Sequence, residues 1–434
     1  GRFRALRGSC PSWVRNGLFI RRSPDNSEYL TARRRAFLIA EQLLADDLRP
    51  AHRLFSPAWT PMNLRTLTLP LAATAGLAAL VALDAGTAAG LCGRLLPVLA
   101  FAAGMSVTVN LAARARLFEW AVAALERSVG RREIVLAGFL SLCVVATMFL
   151  SLDTTAVMLT PLAAVLCQRF GFNPVALPLA VIWIANLASL PLPVSNLTNL
   201  LALGADAFTS ARDYRATAAA PAAAGIAVAL AASYLVRLRH RSTPTATLTA
   251  TEEVPTRPTA ALAVVAATLL FLLTPVPYWA TSTIAAVAIW LTTEKSARPG
   301  PASLIPWNAL LLTTAVSAAA TLVLTLGGEV VVKQALGDAT GPATAASGAL
   351  AANLLNNIPA YFALEPATEG AVETLALLIG VNFGPVVTPW ASLATLLWAD
   401  QLKRAGINAP WKQFVGYGLL VAPAAIVAAL ATLG

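Results

Sequence analysis

The chain sets its hydrophobic positions in long unbroken blocks of Ala, Leu and Val, and polar residues interrupt these blocks at only a few places. Apolar blocks of about 20 residues match the length of a membrane-crossing helix. Crossing strands would need period-2 alternation and a closed barrel, so the pattern predicts an all-α polytopic membrane protein. Residues 64–83 and 91–111 read as crossing helices. Residues 112–133 are amphipathic: Leu117, Trp120, Val122, Leu125 and Val129 share one face, and five Arg lie among the rest. They predict a helix in the cytoplasmic interface.

Residues 134–167 are apolar but interrupted at Ser151-Leu-Asp-Thr-Thr155. The arms of about 12–17 residues are short for a full crossing and predict a re-entrant hairpin with a polar tip. Residues 174–204 would be one helix but for Ser189-Leu-Pro-Leu-Pro-Val-Ser-Asn-Leu-Thr-Asn199. Proline removes a backbone donor and breaks a helix. Free backbone groups at membrane depth are tolerated only inside protein or beside a wet cavity. A break carrying Ser195, Asn196, Thr198 and Asn199 therefore reads as a substrate or ion site. The plain alternative is a kinked helix whose polar side chains satisfy their own backbone. Residues 216–236 cross once more.

The same grammar returns in the second half. Residues 259–274, 278–292 and 306–326 cross, and 329–336 form a short external interfacial helix. Residues 343–364 are a hairpin interrupted at Asn353-Leu-Leu-Asn-Asn-Ile-Pro359. Residues 368–399 are broken between Gly380 and Pro389, and 414–433 are the last span. The spacing of Ser151 to Pro161 equals that of Asn356 to Pro366. Two inverted repeats follow, each with a re-entrant polar hairpin and a broken transmembrane helix, and their binding site is expected near the bilayer midplane between them. The expected divisions are a basic extension at 1–61, a first repeat at 62–237, a cytoplasmic linker at 238–258, and a linking span plus second repeat at 259–434.

Composition agrees with the pattern. Mean hydropathy is +0.69, and 12% of residues are charged against about 25% in soluble domains. Net charge is +10, of which eleven Arg against five acids in residues 1–61 supply +6. That bias marks cytoplasmic loops rather than nucleic-acid binding, and places the N-terminus inside and the C-terminus outside. The break in composition at Met62 makes it the expected start of the native chain; the alternative is a basic cytoplasmic arm touching anionic lipid. Cys10, Cys92, Cys143 and Cys167 are scattered, and His52 and His240 lie outside the apolar runs, so no metal site, cofactor or imidazole base is expected. No phosphate-binding loop is present, and one intramembrane acid is too little for an intramembrane enzyme.

That acid is Asp153, inside the first hairpin. A carboxylate at a helix centre costs roughly 2.5–3.5 kcal/mol on insertion scales and is normally functional. Proton coupling is the functional reading; capping the second hairpin arm through the Thr155 or Ala156 N–H is the plain one. Glu365 and Glu373 read as solvated boundary charges, and the membrane runs as uninterrupted by Lys or Arg.

At Ser151–Pro161, Asn186–Asn199, Asn353–Pro366 and Leu378–Trp398 the sequence resembles the arsenite/antimonite efflux permeases of the ion transporter superfamily. The resemblance implies proton-coupled export of trivalent arsenic or antimony across the plasma membrane. It makes Asp153 the coupling acid. Substrate contacts fall on Ser151, Thr154, Ser195, Asn196, Thr198, Asn199, Asn353, Asn356, Asn357, Asn382 and Thr388. The lipid bilayer, a soluble arsenite-stimulated ATPase and a second copy of the chain are the candidate partners. The family pattern at the first tip is Ser-Asn-Asp, and here it is Ser151-Leu152-Asp153, with one amide fewer. A sodium-coupled dicarboxylate carrier or a sodium/proton antiporter on the same fold is the alternative. The expected absence of membrane Lys or Arg weighs against a dicarboxylate.

Overall fold

The structure is a computed structural model. It describes residues 65–129, 131–205, 207–240, 256–294, 298–336 and 341–433. The basic extension, Met62 and most of the linker lie outside the described residues. Everything described is helix or connection, with no strand among the described residues. Among the described residues five helices are long and apolar enough to cross a membrane: Ala85–Arg114, Arg132–Leu150, Ala211–Arg239, Trp307–Gln334 and Trp411–Leu430. The protein is a multi-pass, all-α membrane protein.

The first two helices are α1 (Arg65–Leu83) and α2 (Ala85–Arg114). Helix α2 starts six residues earlier than the hydropathy suggests. Asp84 caps it, accepting from the Gly86 N–H at 2.8 Å and the Thr87 N–H at 3.2 Å. Bonds from the Thr87 side chain and backbone, and from Gly86, hold the Asp84 carboxyl below the usual carboxylate range. Arg94 lies inside this helix, and inside the 91–111 run itself, so the expectation that no basic residue interrupts a membrane run is corrected. The chain then turns at Arg116, φ 58°, into the amphipathic α3 (Leu117–Val129).

Helices α4 (Arg132–Leu150) and α5 (Leu152–Phe170) are separated by Ser151 alone. Each has 19 residues, more than the expected 12–17. The reason lies at their far ends. Arg132 Nη2 donates to the Gly171 carbonyl at 2.9 Å, and Gly171, φ 62°, terminates α5 in the left-handed conformation that glycine allows.

Next comes α6 (Ala176–Leu187), then a 3-10 turn at Pro193–Ser195, α7 (Leu197–Leu203) and α8 (Ala211–Arg239). Helices α9 (Thr259–Phe271), α10 (Tyr278–Thr292) and α11 (Trp307–Val323) follow. Gly327, φ 104°, kinks the chain into α12 (Glu329–Leu336). The remaining helices are α13 (Gly341–Leu355), α14 (Asn357–Leu364), α15 (Gly370–Phe383), α16 (Leu393–Arg404) and α17 (Trp411–Leu430).

All twelve residues of α6 are buried, as is α15 from Thr374 to Phe383. A helix apolar all round belongs in the interior, and these two carry the breaks. Helix α8 runs beside both. A Cβ on Gly225 would meet the Phe383 ring and, at 2.8 Å, the Leu187 carbonyl, so only glycine fits there. Around this centre the partners are exchanged between halves. Helix α1 packs on α11 and α2 on α10; α5 packs on α16 and α14 on α7. Trp398 Nε1 donates to the Pro178 carbonyl at 2.9 Å and fixes α16 against α6.

Candidate functional site

Residues of both halves meet in one buried hydrogen-bond node. Asn382 stands in the last turn of α15, where the helix is about to end in the Gly384–Val386 turn. Its Oδ1 accepts from Asn196 Nδ2 at 2.9 Å and from Thr198 Oγ1 at 2.7 Å. Its Nδ2 donates to Asn199 Oδ1 at 2.8 Å. Asn196 also caps α7, and Asn199 Nδ2 donates to the carbonyls of Ser189 at 2.7 Å and Leu192 at 3.1 Å. The break is thus lined by side chains that satisfy its backbone and also reach across to the other half. All four node residues are at most 2% exposed, so each lost bond would leave an orphaned polar group.

The two tips share one backbone geometry. Ser151 has φ 91°, ψ 158° and Asn356 has φ 107°, ψ 155°. That region is nearly glycine-only and costs about 1–3 kcal/mol for other residues. At the first tip Thr154 N donates to Ser151 Oγ at 3.4 Å, and the two hydroxyls lie 3.3 Å apart. Thr147 Oγ1 donates to Thr155 Oγ1 at 2.9 Å. Asp153 is half-buried, and no hydrogen bond or ion pair reaches its carboxylate among the described residues. The cap is Ser151, so the plain reading of Asp153 as the capping residue falls away. Ser195 Oγ donates to the Met148 carbonyl at 2.7 Å, one turn before the tip, and ties the first break to the first hairpin.

The second tip is stitched to the second break. Asn353 Nδ2 donates to the Gly384 carbonyl at 2.9 Å. Asn353 Oδ1 accepts from Thr388 N at 2.9 Å and Thr388 Oγ1 at 3.0 Å. Trp390 Nε1 donates to the Asn353 carbonyl at 2.8 Å, Asn356 Nδ2 to the Trp390 carbonyl at 3.0 Å, and Asn357 N to the Ala391 carbonyl at 2.9 Å. The expected site residues therefore form three groups: the central node, the first tip and the second tip. Among the described residues no hydrogen bond joins Asp153 to either of the others.

Sequence reasoning misses several members. Ser189 Oγ accepts from Asn196 Nδ2 at 3.4 Å. Buried polar atoms without a partner include Asn186 Oδ1, Ser392 Oγ and Thr395 Oγ1. Asn186 stands near the end of α6 as Asn382 does near the end of α15. An amide in the last turn before a break is the signal that could have found it. No group of three or more His, Cys, Asp or Glu able to hold a metal exists among the described residues. Cys92, Cys143 and Cys167 are free. Glu365 is 15% exposed and ion-paired with Arg94 at 2.5 Å, which corrects its reading as a solvated boundary charge.

Comparison with known proteins fits this architecture. The chain is 26% identical over 351 residues to an arsenical pump membrane protein of Escherichia coli, covering 73% of this chain and 81% of that one. A second protein of that name and organism is 25% identical over 353 residues, with the same coverage. The resemblance read from the four polar blocks is thereby found again over most of the chain. Residues 58–395 match the citrate transporter family, and the chain belongs to that family and is a secondary membrane transporter, not an enzyme.

Proposed function

We propose that the protein exports trivalent arsenic or antimony across the plasma membrane in exchange for protons. The observation that carries this reading is the Asn196–Thr198–Asn199–Asn382 node. It is a dense set of neutral donors and acceptors at two facing helix breaks. Trivalent arsenic in water is a small neutral trihydroxide, which hydroxyls and amides recognise as they would a polyol. Thiolates would hold it too tightly for turnover, and the hydrogen bonds of the node are made by amides and a hydroxyl, with no thiol among them. A neutral solute gains nothing from membrane potential, so net export needs a coupled ion. The unpartnered Asp153 carboxylate is assigned that proton.

The reading includes an inverted repeat with re-entrant hairpins, dividing the chain at 62–237 and 259–434 around a cytoplasmic linker. Matching tip dihedrals and the exchanged helix partners support it. The N-terminus is placed inside and the C-terminus outside by Arg and Lys bias. The node, Ser195, and the two tips with Ser151, Thr154, Asn353, Asn356, Asn357 and Thr388 form the substrate path. A soluble arsenite-stimulated ATPase and a second copy of the chain are partners proposed on the family likeness alone.

Two observations favour a second reading, a citrate or dicarboxylate carrier: the family's description and Arg94 within α2. Arg94 is already matched by Glu365, so it brings no uncompensated positive charge to a carboxylate substrate. The deciding experiment is arsenite uptake into everted vesicles in sodium-free buffer, with an acid interior. Accumulation that collapses with an uncoupler is the expected result. Sodium-dependent citrate uptake with no arsenite uptake would replace the proposal by the second reading.

A further inference from the structure

Arg94 occupies an unusual place for a charge. It lies nine residues into α2, about 14 Å along the helix. Its Nη2 donates to Glu365 Oε1 at 2.5 Å and to the Leu201 carbonyl at 3.3 Å. Tyr361, fully buried, donates its hydroxyl to the same Glu365 oxygen at 3.1 Å. The pair is partly buried, Arg94 being 31% and Glu365 15% exposed. Such a pair is a weak source of stability, because screening and desolvation offset most of its attraction; the best-attested use of charges held inside a protein is to fix a register.

What this pair holds is specific. Leu201 lies in the last turn of α7, and Glu365 directly follows α14. The opposite ends of these two short helices carry the polar groups: Asn196, Thr198 and Asn199 on α7, Asn356 and Asn357 on α14. The helices come from different halves and pack on each other. One guanidinium thus clasps the carboxyl-terminal ends of both, on a third helix that carries none of the site residues. Each helix is only seven or eight residues long and rigid, so fixing one end sets the other.

We infer that Arg94 and Glu365 are positioning residues that set the spacing between the first-half and second-half contacts of the substrate site. The inference rests on the reading that those contacts form the site. Two measurements separate the failure of one from the failure of the other. In a background with all four cysteines replaced by alanine, spin labels at Gly204 and Glu369 report the separation of the two clasped ends, whatever the substrate. Arsenite kinetics in everted vesicles report the site.

The variants are Arg94→Gln, Glu365→Ala, Arg94→Lys and the double variant Arg94→Gln/Glu365→Gln. The double variant removes both charges at nearly constant shape and guards against misfolding from a lone, partly buried charge. Expected are a narrow distance distribution in the parent and a broadened one in both disruptive singles and the double. KM for arsenite should rise about tenfold, with kcat changed less, since uniform binding is what misplacement removes. Arg94→Lys should recover most of both. An unchanged distance distribution in the double variant overturns the inference, as does a fall in kcat at constant KM. If the parent carries no arsenite, the functional reading fails, and the distance measurement alone decides the clasp.

Discussion

The two tips have nearly the same backbone but are held in opposite ways. Asn356 and its neighbours are sewn to the second break through Asn353, Thr388, Trp390 and Ala391. The first tip keeps its bonds among Thr147, Ser151, Thr154 and Thr155, and its hairpin is hydrogen-bonded to its own break through Ser195 and the Met148 carbonyl. It also presents the carboxylate that nothing partners among the described residues. One fold element therefore occurs once as a frame hydrogen-bonded to its break and once as an arm whose bonds stay local and which bears an unpartnered carboxylate. On the proposed reading the second tip is a braced part of the substrate path and the first tip carries ion coupling, a contrast that mutation can break.

The largest effect is expected at the charge. Asp153→Asn should abolish gradient-driven arsenite accumulation, a fall of at least about a hundredfold, since the only proposed proton carrier is removed. The protein should still insert and elute as folded material. Accumulation like that of the parent would discard the coupling role and with it the contrast between the tips.

Next in size is the node that joins the halves. Asn382→Ala takes the acceptor from Thr198 Oγ1 and the donor from Asn199 Oδ1, and leaves Asn196 Nδ2 only its long 3.4 Å bond to Ser189 Oγ. Each orphaned buried group costs about 1–3 kcal/mol. Denaturation in detergent should show a loss in that range or above it, and transport should fall about tenfold or more. A stable variant with normal transport would mean that the node is neither a support nor a contact. Asn353→Ala tests the frame instead. It removes the bonds to Gly384 and Thr388, so stability should drop by about 2 kcal/mol, and KM should rise with it, since the second tip lies on the proposed substrate path. A KM effect with unchanged stability would show that the second tip contacts substrate without acting as a frame.

Much of this architecture is legible in the sequence alone. Proline and amides inside apolar runs are expensive at membrane depth, so the breaks at Ser189–Asn199 and Gly380–Pro389 stand out against their surroundings. What stays hidden depends on partners far away in sequence. Arg94 is matched by a carboxylate 271 residues on, and no local window shows that its charge is neutralised. The arms of the first hairpin look short because charged Arg132 reads as interface, whereas its guanidinium folds back over the Phe172 ring, 4.7 Å from the centroid, and onto the Gly171 carbonyl. The members of the node can be named residue by residue but not joined, since Asn382 meets Asn196 across 186 positions.

The finest test uses the shared tip geometry. Both Ser151 and Asn356 sit where glycine alone is at ease, so replacing either by glycine relieves backbone strain of about 1–3 kcal/mol, against which glycine's extra unfolded-state entropy counts roughly 0.5–1 kcal/mol. At Ser151 the side chain lost makes only the long 3.4 Å cap and the hydroxyl contact with Thr154. Ser151→Gly should therefore be neutral or slightly stabilising in detergent denaturation. At Asn356 the side chain lost donates to Trp390 across the two elements. Asn356→Gly should be destabilised relative to Ser151→Gly by about 1 kcal/mol, the worth of one such bond. Equal responses would show that the tips are anchored alike and that their division into frame and arm has no energetic basis; the expected split would tie it to a single amide.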